Sequence, residues 1–312
     1  MFTLCSTQQL DLEHTLVNGQ AFRWRLDPDG WWSCILCDRS QTTPSNILVR
    51  LRHDGNNILG TTDPPGYEAF VRDYLRLDID LISLTQNFAA LDTAIVPSIQ
   101  AFPGLRVLRQ DPVECLFSFL CTSAAPLHRI RRSVEGLSRT YGASRPAPAG
   151  ADYYSFPSID DLASASVEDM KALGLGYRAR YVKATAIQLQ DLGGADYLLD
   201  LRTKPYADAK AGLLPFTGIG EKIADCICLF SMDKDEAIPV DTHIRQIVER
   251  HYLPSTGAAA LRTKTPSYAY IGDLIRNRFG PMAGWAQQYL FFEDLFEKRA
   301  WGAFQSQWTG EA

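Results

Sequence analysis

Residues 213–225 read Leu213-Leu214-Pro215-Phe216-Thr217-Gly218-Ile219-Gly220-Glu221-Lys222-Ile223-Ala224-Asp225, a stretch that dictates a sharp reversal between two helices. Helical spacing of apolar residues on either side predicts helices over 205–213 and 221–232, and Gly218 and Gly220 permit the tight turn. The amides at the start of the second helix then face outward. Together with the helix dipole they make a site for one DNA phosphate. A nucleotide-binding loop does not fit the same glycines, because no strand precedes them and Gly-x-x-x-x-Gly-Lys-Ser/Thr is absent.

The rest of the chain divides into a sheet-forming start and a helical remainder. In the first ~60 residues Ile47, Val49 and Leu51 alternate with Leu48, Arg50 and Arg52, and Asp54-Gly55 follows as a turn. Phe22-Arg23-Trp24-Arg25 and Trp31-Trp32 suit half-buried strands separated by the turn residues 27–30. Near Pro64 the period changes, and Tyr67, Phe70, Val71, Tyr74 and Leu75 share one helical face. The segment from Pro112 to Cys121 is apolar on most sides, as a helix through the core would be. Residues 143–152 are expected as a Pro/Ala/Gly loop. Ser166 with Asp169 resembles a capping box for a helix that stops near Gly174 and Gly176. Further helices are expected over 177–192, 241–252, 267–278 and 283–300. The fold class is therefore α+β. An N-terminal antiparallel β-sheet domain with flanking helices (1–105) precedes a mostly α-helical domain (106–312).

Composition narrows the class of partner. Across 312 residues the net charge is −5, but residues 1–105 carry 7 basic and 12 acidic residues and so hold all of that excess. Residues 120–185 are locally basic, with 9 basic against 6 acidic residues, which permits phosphate binding. Neither a long apolar run nor a basic start with an apolar stretch is found, so neither a membrane span nor an export signal is expected. The 7 cysteines, odd in number and scattered, do not form a disulfide framework, and an intracellular, reducing location is expected. Cys34 and Cys37 lack a second Cys/His pair for zinc. In a strand they point to opposite faces, so they are read as structural, and no metal is expected.

Two side chains near the hairpin carry chemistry. Lys222 opens an otherwise apolar helix (Ile223, Ala224, Cys226, Ile227, Cys228, Leu229, Phe230), beside partly buried surface. Desolvation there favours the free amine, the nucleophilic form of a lysine. Asp241 follows Ile238-Pro239-Val240 and caps the next apolar-periodic helix. A helix cap can also stabilise charge. An amine and a carboxylate meeting in a cleft make a nucleophile and its electrostatic partner.

With these residues in view, the chain resembles the helix-hairpin-helix DNA glycosylases and, within them, is most similar to the 8-oxoguanine DNA glycosylases. The resemblance is carried by residues 18–24, 111–121, 174–181, 222–229, 239–243 and 283–287, and so spans nearly the whole chain. It implies a bifunctional glycosylase/AP lyase that extrudes an oxidised guanine from double-stranded DNA, needs no cofactor and acts as a monomer. By that resemblance Lys222 is the nucleophile that forms a Schiff base with the sugar, and Asp241 stabilises positive charge on it. Gly19 reads the N7 hydrogen that 8-oxoguanine has and guanine lacks, Gln287 reads the Watson–Crick edge, and Cys226 and Phe291 form the pocket walls. Tyr177 and Arg178 enter near the vacated stack, Gly218 and Gly220 shape the phosphate-binding hairpin, and His243 contacts a phosphate with support from Asp294. Each residue also has a plainer reading: core for Phe291 and Cys226, surface for Gln287, an Asn-Gly turn for Gly19. A glycosylase for another damaged base and a non-catalytic DNA-gripping module are the alternatives, and the Lys222–Asp241 pair argues against the second.

The chain departs from the family at one place. Where the family reads the opposite cytosine with an asparagine-rich stretch and then an arginine, this sequence has Ala124-Ala125-Pro126 followed by Arg129. Alanine methyls supply no amide donors or acceptors. Relaxed selection of the opposite base is therefore expected.

Overall fold

Five strands built from the alternating N-terminal segments form one antiparallel sheet. β1 (Phe2–Ser6), β2 (Arg25–Leu26), β3 (Trp32–Asp38), β4 (Ser45–Asp54) and β5 (Asn57–Asp63) lie in the order β1-β5-β4-β3-β2. The computed structural model describes residues 1–41, 43–146, 152–253 and 266–298. Ile47, Val49 and Leu51 of β4 enter the main apolar core. Leu48, on the other face, is also buried, in a small cluster with Ile35 and Tyr153.

Two expectations about strands need correction. The segment 143–152 is not simply a loop: β6 (Ser144–Pro146) pairs with β7 (Asp152–Tyr154), with residues 147–151 outside the described residues. The physical cause is Tyr153, whose ring covers the outer face of the large sheet while its hydroxyl donates to Asp27. Of Phe22-Arg23-Trp24-Arg25, only Arg25 joins a strand. Arg23 turns inward instead, bonding Glu114 at 2.7 and 2.5 Å and the carbonyls of Tyr154 and Ile35, and so ties this segment to the helical part.

The helices follow as α1 (Leu12–Leu16), α2 (Glu68–Tyr74), α3 (Leu81–Leu91), α4 (Val96–Ala101), α5 (Pro112–Leu120), α6 (Leu127–Tyr141), α7 (Ile159–Ser164), α8 (Val167–Met170), α9 (Arg178–Asp191), α10 (Ala195–Thr203), α11 (Tyr206–Leu213), α12 (Glu221–Ser231), α13 (Thr242–His251), α14 (Tyr268–Phe279) and α15 (Ala283–Lys298). Every residue of α5 is buried, in keeping with its apolar sequence. Ser166 caps α8 by accepting from the Asp169 amide, and the helical path ends at Gly174 with φ 92°. Helix α7 has a capping box between Ser158 and Asp161 that the pattern reading missed. One continuous apolar core runs from Leu4 to Phe292, and α3 and α4, before residue 105, pack against α14 and α15.

Arg106 holds the chain where sheet and helices meet. It is fully buried and donates to the carbonyls of Leu75, Arg76 and Ile79, just after α2, and to that of Gln9, between β1 and α1. Burial lowers its pKa to about 10, so it remains charged at neutral pH. Arg106→Met would leave several buried carbonyls without a donor. A loss of roughly 2–4 kcal/mol is expected, measurable as a lower urea midpoint. An unchanged midpoint would mean that water replaces the guanidinium without cost.

Candidate active site

The hairpin after α11 is closed by hydrogen bonds from the Phe216 amide to Leu213 and from the Ile219 amide to Phe216. Gly218 has φ +90°, and a Cβ there would sit 2.7 Å from the Tyr181 ring, so both conformation and contact with α9 demand glycine. Gly220 differs. Its backbone is extended (φ −101°) and space around it is open, but no side chain caps the α12 amides that follow. Helix α9 also braces the turn, since Gln188 Oε1 accepts from the Thr217 amide at 3.0 Å and Thr185 Oγ1 donates to the Thr217 carbonyl.

From this turn α12 runs into the core against α5. Lys222, half-buried in its first turn, places Nζ 5.7 Å from the centre of the Phe119 ring. One turn on, Cys226 is buried. Burial pushes its thiol up to about 11, and the neighbouring Lys222 amine works in the opposite sense. Asp241 is the N-cap of α13 and accepts from the Ile244 amide at 2.9 Å. Gln287 and Phe291 stand one turn apart on α15. Lys222, Cys226, Asp241, Gln287, Phe291 and Gly19 all line one pocket that opens to solvent. Parts of the chain more than 200 residues apart meet there.

The remaining sequence-predicted residues lie outside this pocket. His243 Nδ1 is 2.6 Å from Asp294 Oδ2, and its ring meets Phe291 edge-on at 5.6 Å, which joins that pair to the pocket wall. Tyr177 is 52% exposed, with the Arg178 guanidinium 4.9 Å from its ring centre. Arg178 Nε donates to the Ser123 carbonyl at 2.6 Å, so both side chains sit beside the Ala124 turn. Arg129 is exposed near the start of α6.

Pattern reading missed the residues that hold the site together. Asn18, Phe119, Phe230, Pro239 and Gln288 also line the pocket. Gly19 has φ +89°, and the turn is anchored by Gln20, fully buried, which donates to Thr15 and Arg106 carbonyls and accepts from the Leu108 amide. Asp225, also fully buried, accepts from Tyr206, Lys210 and Tyr268 at 2.6, 2.9 and 2.6 Å. The Tyr268 hydroxyl in turn accepts from the Val240 amide, next to Asp241. Burial and the adjacent Asp225 charge raise the pKa of both tyrosines, keeping them as donors. The network thereby couples α12, which carries Lys222, to the segment that carries Asp241. An acidic residue amid the apolar run of α12 was its one sequence signal.

A helix–hairpin–helix turn beside a pocket lined by both a lysine and an aspartate is the arrangement expected of a base-excision glycosylase of the helix-hairpin-helix class. Residues 117–266 match the model of the HhH-GPD superfamily base excision DNA repair proteins, and residues 3–116 match that of the 8-oxoguanine DNA glycosylase N-terminal domain. The chain is 34% identical to N-glycosylase/DNA lyase OGG1 of Arabidopsis thaliana, covering 92% of this chain and 78% of that protein. It is 30% identical to the N-glycosylase/DNA lyase of Saccharomyces cerevisiae, covering 92% and 84%. Among solved structures, the Clostridium acetobutylicum 8-oxoguanine glycosylase/lyase in complex with dsDNA containing cytosine opposite 8-oxoG matches with a TM-score of 0.80 at 26% identity, over 93% of each chain. The chain belongs to the 8-oxoguanine DNA glycosylase family and is an N-glycosylase/DNA lyase.

Proposed function

We propose that this protein excises 8-oxoguanine from duplex DNA, with Lys222 as nucleophile and Asp241 as its electrostatic partner. The observation that carries this reading is the convergence of Lys222 and Asp241 with Gly19, Cys226, Gln287 and Phe291 around one pocket. A base inside a duplex is inaccessible, so the lesion must be extruded into that pocket. The free amine of Lys222 attacks C1′ and the base leaves with its glycosidic electron pair. Asp241 stabilises the positive charge that develops on the sugar. Ring opening gives an imine between Lys222 and C1′. Loss of a C2′ proton then expels the 3′ phosphate, and water releases the lysine. The uncapped amides at the start of α12, just after Gly220, suit a backbone phosphate, and Tyr177, Arg178 and His243 suit contacts around the extruded nucleotide. Borohydride should trap the protein covalently on an 8-oxoguanine duplex. Failure to trap, with no base release, would reject the reading.

The opposite base is expected to be read loosely. Ala124 adopts φ +49°, a left-handed conformation that favours glycine and asparagine. The backbone thus keeps a shape suited to asparagine without its amide. Arg129 and Arg178 can still donate to cytosine O2 and N3, but other bases also offer acceptors. A bidentate base contact is worth about 1–3 kcal/mol, roughly 5- to 150-fold, and part of that discrimination is missing here. Single-turnover excision from four duplexes differing only in the opposite base should show a preference for cytosine below about 100-fold. A larger preference would mean that other residues replace the asparagines.

A further inference from the structure

Among the described residues, two buried side-chain polar atoms that line the pocket have no protein partner, one a donor and the other an acceptor. Asn18 has no exposed surface and Gln287 is 3% exposed, and both line the pocket. Asn18 Oδ1 accepts from the Gln20 amide at 3.3 Å, but Asn18 Nδ2, a donor, has no partner among the described residues. Gln287 Oε1, an acceptor, has none either. A buried unpaired polar group is costly and is retained where something else completes it. Because the Gln20 bonds fix the turn, Asn18 is presented on a rigid frame.

We propose that Asn18 is a second specificity-determining residue, whose Nδ2 donates to the C8 oxygen of the extruded base. This rests on the reading of 8-oxoguanine as substrate. Gln287 Oε1 then accepts from N1–H or N2–H at the Watson–Crick edge, and Gly19 accepts from N7–H. With Gln287 at the Watson–Crick edge and Gly19 at N7, as in this proposal, the C6 oxygen of 8-oxoguanine falls on the Gln287 side, and the C8 oxygen, which is covalently next to N7, falls beside the turn that carries Asn18 and Gly19. Guanine has a C8 hydrogen there, so its entry would leave Nδ2 unpaired. An unfilled buried donor is a strong basis for rejecting the undamaged base.

Asn18→Ser tests this, since its hydroxyl can still accept from the Gln20 amide while the amide donor is lost. Single-turnover excision of 8-oxoguanine opposite cytosine should fall by about 5- to 150-fold, the range of one base contact. Melting temperature and affinity for the matching undamaged guanine duplex should stay at wild-type values. Excision within about twofold of wild type would overturn the proposal, as would a parallel fall in melting temperature and undamaged-duplex affinity, which marks a structural role. Absence of excision by the wild-type protein would instead sink the parent reading, and so the two failures are told apart.

Discussion

Lys222→Gln is expected to abolish covalent trapping by borohydride and to slow base release by about 10⁴-fold or more, the scale on which loss of a covalent nucleophile acts. The amide nitrogen of glutamine has its lone pair delocalised and cannot form an imine, so both the Schiff base and strand cleavage are lost together. Length and polarity are nearly kept, and Lys222 is only half-buried over the Phe119 ring, so the fold should not suffer. Binding to the lesion duplex should therefore survive, because the amides of the hairpin, Gly19 and Gln287 are untouched. Gel-shift affinity alongside trapping separates the two effects. Undiminished trapping in this variant would reject Lys222 as the nucleophile. Loss of binding together with loss of trapping would mean that the substitution disturbs more than the amine.

Much of this candidate site was legible in the sequence because the residues proposed to carry its chemistry sit at helix boundaries, which leave local signals. Gly218 marks the turn, Lys222 the first turn of an apolar helix, and Asp241 a cap. The resemblance added Gly19, Cys226, Gln287 and Phe291, which no local pattern singles out. What stayed hidden depends on contacts between distant segments. Gln20 reads as an ordinary polar residue until it is seen bonded to residues about 86 positions away. Asp225 is an acid in an apolar helix, and only its three partners from α11 and α14 explain it. The strand errors have the same origin. Phe22-Arg23-Trp24 has strand-like alternation, but the buried ion pair between Arg23 and Glu114 outweighs it. Tyr153 draws a Pro/Ala/Gly-rich segment into a small sheet because the outer face of β3 and β4 needs cover.

Asp241→Asn should separate the capping role of this side chain from its proposed electrostatic role. As the α13 cap, Asp241 needs only an oxygen to accept from the Ile244 amide, and asparagine supplies one about equally well. Melting temperature should therefore shift little. In the proposed electrostatic role it would carry negative charge toward the sugar, and a neutral amide cannot. Removing one preorganised group of this kind typically costs about 10²–10³ in rate, and that fall is expected in single-turnover excision of 8-oxoguanine. The Asp225–Tyr268–Val240 chain that positions the capping residue makes no use of the Asp241 carboxylate, so it should stay intact and keep the geometry of the variant comparable. Trapping at long incubation times should still occur, since Lys222 is present, but with a rate reduced in step with base release. Wild-type rates in this variant would reduce Asp241 to a cap. A large drop in melting temperature would show instead that the cap is more demanding than its single hydrogen bond indicates.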